Sequence, residues 1–237
     1  MSFHDKTVLI TGATGSVGPA VVLAFASAGA NIVLAARSAD KMDALVREQG
    51  LDAGRALAHP TDVTDPGSAQ ACVQAARDAF GRVDVLVNLA GGFRGGKLLY
   101  EMDDGDWQFL MDLNARSVFN MCRAVAPVML AQSYGKIVNV GTKQALSGAA
   151  RSSIYGASKA AVLRMTESLS SELCADGINV NAIIPSTIDT PDNRKAMPKS
   201  DFSRWATPAQ VAAVIKFLAS DAADAVHGAF VPVAGKR

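Results

Sequence analysis

Thr7-Val8-Leu9-Ile10-Thr11, followed at once by Gly12-Ala13-Thr14-Gly15-Ser16-Val17-Gly18 and Pro19, is the stretch that decides the fold. Its first five residues form an apolar, β-branched run without polar alternation, the pattern of a strand buried on both faces of a parallel sheet. Three glycines then let the backbone turn tightly, and Pro19 stands where a first helical turn tolerates a missing N–H. Apolar residues recur at helical spacing from Ala20 to Ala28. A strand that passes through a glycine turn into a helix aims free N–H groups and the positive end of the helix dipole at the turn. The segment therefore fits either a tight turn without a ligand or a cradle for pyrophosphate.

The following strand, Asn31 to Ala35, supplies the context that a cradle needs. It ends in Ala36-Arg37-Ser38, about twenty residues past the glycine turn, where a dinucleotide fold places the group that meets the adenosine ribose. An acid there would select NAD. Arg37 instead suits a 2′-phosphate, which a guanidinium can bind bidentately, so NADP(H) is preferred and NAD(H) stays possible. The same side chain also reads as a solvated arginine opening a helix.

Helical spacing continues from Ala39 to Gln49, a strand at Arg55 to His59 ends near Asp62 and Val63, and a helix at Asp65 to Phe80 precedes a strand at Val83 to Asn88. Strands separated by single helices predict right-handed crossovers and a parallel sheet covered on both faces. Leu89 to Gly92 leaves the fourth strand as a small-residue turn at the carboxyl edge, where ligands of such sheets collect. Phe93 to Gly96 reads as a loop. Met102 to Ala131 is amphipathic, with Asn114 at its middle, either exposed or hydrogen-bonded to a specific partner. Lys136 to Val140 is the fifth strand, and it puts the hydroxyl of Thr142 at the same edge.

Composition narrows the partners. A chain of 237 residues, 49% hydrophobic, is long enough for one well-filled domain. With 23 basic and 22 acidic residues, net charge +1 and no Lys/Arg run, it offers no electrostatic footprint for nucleic acid or an anionic membrane, and a small molecule is the expected partner. No apolar span reaches bilayer length, and the amino terminus runs straight into a strand, so a soluble, cytoplasmic protein is expected. Cys72, Cys122 and Cys174 are widely separated and form no C-x-x-C pair; they read as small hydrophobes, and no metal site is expected.

Tyr155 and Lys159 stand four residues apart, where a helix stacks them on one face. A phenol is a poor acid at neutral pH, but a fixed ammonium nearby favours its phenolate. In isolation the pair also fits an ordinary helix surface.

Together these elements resemble the short-chain dehydrogenase/reductase family in its ordinary, single-domain form, over nearly the whole chain. The resemblance rests on TGATGSVG (Thr11 to Gly18), Asp62-Val63, NLAG (Asn88 to Gly91), Asn114, Thr142, YGASK (Tyr155 to Lys159) and IIPSTIDT (Ile183 to Thr190). It implies one α/β domain over residues 1–237, a Rossmann-like doubly wound, mostly parallel sheet of seven strands with helices on both faces. Gly228 to Val233 would be its last edge strand.

The implied activity is hydride transfer between nicotinamide and a small carbonyl or alcohol. Tyr155 would be the general acid or base, Lys159 would lower its pKa and hold the nicotinamide ribose, Thr142 would steady the substrate oxygen, and Asn114 would help hold a water linked to Lys159. For the cofactor the resemblance implies Gly12, Thr14, Gly15, Ser16, Val17 and Gly18 at the phosphates, and Arg37, Asp62, Val63, Asn88, Ala90 and Gly91 on the adenosine half. Pro185, Thr187 and Thr190 would lie near the nicotinamide.

The glycine turn departs from the usual TGxxxGxG, since Gly15 precedes Ser16; Thr142 replaces a serine and adds a methyl group, with Ser147 as an alternative donor; and Ser186 follows Pro185 where glycine is usual. Residues 186–206 fall where the family places a substrate lid, a stretch also similar to that of dihydropteridine reductases. Phe93, Lys143, Gln144, Met197 and Trp205 are expected to line the substrate side, although Met197, Phe202 and Trp205 equally fit a packing core within the lid. A catalytically silent dinucleotide sensor is the competing function, and a homodimer or homotetramer is implied.

Overall fold

Val8 and Ile10 of β1 (Thr7–Thr11) pack into the apolar layer on one side of a sheet, and Leu9 into the layer on the other. This two-sided burial explains why the strand shows no polar alternation. The chain continues through α1 (Gly18–Ala26), β2 (Asn31–Ala36), α2 (Ala39–Glu48), β3 (Ala56–Pro60), α3 (Pro66–Phe80), β4 (Val85–Asn88), α4 (Asp104–Leu110), α5 (Ser117–Gln132), β5 (Gly135–Val140), α6 (Ser153–Leu173), β6 (Ile178–Pro185), α7 (Pro191–Ala196), α8 (Pro208–Leu218) and β7 (Phe230–Val233). These coordinates are a computed structural model, and they describe residues 1–236.

Among the described residues seven strands, all parallel, run in the order β3-β2-β1-β4-β5-β6-β7, a single-domain Rossmann-like arrangement. One layer combines Val21, Val22 and Phe25 of α1 with Met42 of α2 and Ile215 of α8. The opposite layer combines Cys72 of α3, Met121 and Val125 of α5 and Val162 of α6. Strand order reverses between β1 and β4, so their carboxyl ends diverge into a crevice. At β7, an edge strand, Pro232 is tolerated because one side of the strand needs no ladder donor.

The amphipathic stretch at 102–131 is not one regular helix. Met111–Arg116 forms a π-helical turn between α4 and α5, and Asn114 lies inside it. At the amino ends of the strands the buried Asp84 carboxylate takes Arg82 at 2.7 and 2.8 Å and the Thr7 N–H at 2.9 Å. Charged bracing is thereby placed away from the crevice.

Gly18 begins α1 so close to the glycine turn that a Cβ would stand 2.0 Å from the Ala13 carbonyl oxygen. Gly18→Ala should therefore destabilise the protein by roughly 2 kcal/mol or more in urea unfolding, as overpacking does. An unchanged midpoint would contradict that contact.

Candidate active site

A cavity of about 1030 Å³ opens at the carboxyl ends of the strands. Gly12, Gly15, Ser16, Val17 and Gly18 form one wall; Gly91, Phe93, Thr142, Tyr155, Lys159 and Pro185 are among the residues of the others. Gly12 has φ +64°, and a Cβ there would come within 2.8 Å of the Ala90 nitrogen, so the turns after β1 and β4 touch backbone to backbone. The N-cap of α1, Val17, has no side chain bonded to the first helical N–H groups, whereas Ser38, Asp65, Thr190 and Thr207 cap α2, α3, α7 and α8. The Ala20 N–H of the first turn, a dipole end and the lack of an acidic residue there suit an anion, and the glycine cradle leaves room for a pyrophosphate.

Arg37 and Asp62 lie outside this cavity, exposed at the ends of β2 and β3. The Asp62 carboxylate accepts from the Thr64 hydroxyl at 2.7 Å and the Thr64 N–H at 2.9 Å, bonds that hold it below the usual carboxylate range with the Arg37 charge assisting. Val63 is buried, and its carbonyl receives the Asn120 amide at 3.1 Å. The Asn88 side chain turns inward and donates to Asn139 Oδ1 at 2.9 Å, leaving only its backbone for a ligand. Ala90 donates its N–H to the Thr11 hydroxyl at 3.2 Å. Thr14 is half-buried and does not line the cavity.

Tyr155 and Lys159 sit on the first turns of α6 and both reach the cavity. Lys159 is only 5% exposed; its ammonium donates to the Val140 carbonyl at 2.8 Å, and burial pulls its pKa down to about 8. Burial also pushes the Tyr155 phenol above its ordinary value. The Lys159 ammonium is directed at the Val140 carbonyl, and burial dominates the shift of the phenol. Thr142, 7% exposed, gives its own proton to Gln144 Oε1 at 2.5 Å.

Asn114 is fully buried and bonded to specific partners. It accepts from the Gly92 N–H at 2.9 Å and donates to the Gly92 carbonyl and to Ser158 Oγ, both at 3.0 Å. Both amide N–H groups are engaged by these partners. A Cβ on Gly91 would approach Asn114 Oδ1 to 3.0 Å and Lys159 Nζ to 3.2 Å, which explains the glycine.

On the substrate side, the Phe93 ring meets Tyr155 edge-to-face with centroids 4.9 Å apart, and Lys143, Gln144, Ser147 and Met197 line the cavity. Trp205 does not; it packs on Phe202 at 4.8 Å, the internal packing of its own segment. Pro185 and Thr187 face the cavity, but Thr190 is buried outside it, its hydroxyl capping α7 through Asn193 N–H at 3.3 Å. Thr190 caps α7 ahead of Pro191 as Thr207 caps α8 ahead of Pro208, the same start signal in both places. Asn193 also reaches the cavity, and Ser16 Oγ donates to Asp192 at 3.1 Å, a contact across 176 residues that no local pattern announces.

Residues 6–201 match the family model described as short chain dehydrogenase. The chain is 36% identical to a 3-oxoacyl-[acyl-carrier-protein] reductase of Thermotoga maritima, covering 99% of this chain and 98% of that protein. It is 35% identical to a D-threitol dehydrogenase of Mycolicibacterium smegmatis, covering 97% and 92%. An NAD+-bound xylitol dehydrogenase structure superposes with a TM-score of 0.89 at 27% identity, covering 99% of this chain and 100% of that one.

The buried Lys159 links protonation to stability. Its folded pKa of about 8 lies below the ordinary 10.5, so the unfolded chain binds the proton more tightly and the charged form costs the ligand-free fold about 3 kcal/mol below pH 8. That cost disappears as pH rises towards 10.5. Relative to Lys159→Met, wild type should gain roughly this amount between pH 8 and 10.5 in denaturant titrations; a pH-independent difference would contradict it.

Proposed function

Because the chain belongs to the short chain dehydrogenase family, we propose that it is an NADP(H)-preferring oxidoreductase acting on a small carbonyl or alcohol, with Tyr155 as general acid and base. One observation carries this reading: a phenol, a hydroxyl and a buried ammonium line the cavity that also holds the open amino terminus of α1. The nicotinamide supplies or accepts the hydride.

The backbone N–H groups of the glycine turn and the amino terminus of α1 hold the pyrophosphate, and Arg37 takes the 2′-phosphate. Asp62, Val63 and the backbone of Asn88, Ala90 and Gly91 form the adenosine side, while Pro185 and Thr187 face the nicotinamide. Support for NADP(H) comes from Arg37; Asp62 beside it and the NAD+-bound neighbour keep NAD(H) as the alternative.

A phenol raised by burial stays protonated at neutral pH, ready to protonate the substrate oxygen in reduction. Thr142 donates a second hydrogen bond to that oxygen, stabilising the charge that develops on it. Lys159 lies one turn beyond Tyr155 and binds the nicotinamide ribose. Asn114 acts through Gly92 and Ser158, fixing the turn after β4 against α6. Phe93, Lys143, Gln144 and Met197 form the substrate wall, closed by residues 186–206 as a lid.

The relatives' names span a 3-oxoacyl-[acyl-carrier-protein] and D-threitol, so a panel of β-keto esters and thioesters, ketoses, polyols and quinonoid pterin with both cofactors is the direct screen. A homodimer or homotetramer and a cytoplasmic location complete the proposal. The apolar Phe119 and Leu130 exposed on α5 support the first, and three free cysteines support the second.

Tyr155→Phe should lower kcat by about 10²- to 10⁴-fold while NADP+ binding changes little; a variant with comparable turnover would overturn the assignment. Arg37→Ala should raise KM for NADPH by roughly tenfold or more and spare NADH, because it removes hydrogen bonds to a charged phosphate. Equal effects on both cofactors would reverse the preference.

A further inference from the structure

Thr142 has one proton, and Gln144 Oε1 receives it. A hydroxyl so engaged cannot donate to a substrate oxygen. The main chain of this turn is fixed: Lys143–Ala145 forms a single 3₁₀ turn whose Gln144 carbonyl would stand 2.8 Å from a Cβ on Gly156, at the start of α6. Side-chain rotation is therefore the simplest way to release Thr142. A half-turn of the Gln144 amide places Nε2 where Oε1 was, so that the amide donates to Thr142 Oγ1 and the threonine proton is free to point into the cavity. One hydrogen bond is exchanged for another, and the count is unchanged.

We propose that Gln144 is a positioning residue whose amide orientation decides whether the Thr142 hydroxyl is withheld from the substrate oxygen or presented to it. In the withheld state Gln144 accepts; in the presenting state it donates. The inference rests on the reading of Thr142 as the second donor to that oxygen. A side chain that can both accept and donate is needed for the exchange, and glutamine is the residue present. The only ionisable groups lining the same cavity among the described residues are Lys143, Tyr155 and Lys159, so no carboxylate competes for the threonine proton.

Two nearly isosteric variants separate the states. Gln144→Glu can only accept when ionised, and a charge-assisted bond would hold the threonine proton more firmly; Gln144→Met can neither accept nor donate. With NADPH and the best carbonyl compound from the panel, Gln144→Glu should lower kcat about a hundredfold, the scale of losing one donor to a developing oxyanion, and Gln144→Met about tenfold or less. NADPH affinity, read from its fluorescence, should stay within about twofold in both, since the interaction is made at the substrate oxygen.

In a Thr142→Ala background, Gln144→Glu should cost nothing further, because its effect passes through the absent hydroxyl. Wild-type turnover in Gln144→Glu, equal losses in both variants, a parallel loss of NADPH binding, or an undiminished loss in the Thr142→Ala background would each overturn the proposal. If Thr142→Ala alone keeps full activity, the reading of Thr142 falls and this inference falls with it; if that variant is slow while Gln144→Glu is not, the inference alone falls.

Discussion

Lys159 is a cation taken almost wholly out of water, and the surroundings of the cavity are arranged to hold it there. Burial of an ammonium is costly unless the group is hydrogen-bonded, and here the Val140 carbonyl at the end of β5 supplies the acceptor. That bond ties the first turns of α6 to the last residue of β5, two residues before Thr142. It also requires Gly91 to lack a side chain, since a Cβ would crowd both Lys159 Nζ and Asn114 Oδ1. Asn114 then ties the Gly91-Gly92 turn to Ser158 on α6, and the π-helical turn inserts it there. Strand end, glycine turn and helix start are thus held to one geometry around one buried charge.

The sheet separates stability from ligand binding. Asp84 with Arg82, and Lys136 with Asn179 and Asp224, place charged bracing where the strands begin. The ends of β1, β4 and β5 carry glycines, amides and hydroxyls instead. A ligand entering the crevice meets donors and small residues on the dinucleotide side, and beyond it the titratable groups of Lys143, Tyr155 and Lys159. The proximity of Ser16 to Asp192 connects the two sides across the mouth.

Much of this was legible in the sequence because the signals are local. Uninterrupted apolar runs mark strands buried on both faces, and the glycine turn followed by Pro19 marks the first crossover; both lie where expected. Helix α7 falls inside the stretch assigned to a substrate lid, where Thr190-Pro191 is a short start signal, and the break at Met111–Arg116 carries no proline or glycine to reveal it. Of the two readings open for Trp205, cavity wall or packing core of its own segment, the second is the one found: its ring meets Phe202, three residues away. Side-chain direction was the least legible property. The inward turn of Asn88, the full engagement of Asn114 and the grip of Gln144 on Thr142 all depend on partners from other elements, which spacing along the chain does not encode.

The most direct test of Tyr155 as the proton donor is a single-turnover measurement of NADPH oxidation, with a saturating carbonyl substrate, in ordinary and in heavy water. Hydride transfer coupled to protonation by the phenol should be slower in heavy water, and the solvent effect should vanish in the residual reaction of Tyr155→Phe. A wild-type rate indifferent to the solvent, or a solvent effect of the same size in Tyr155→Phe, would contradict the account.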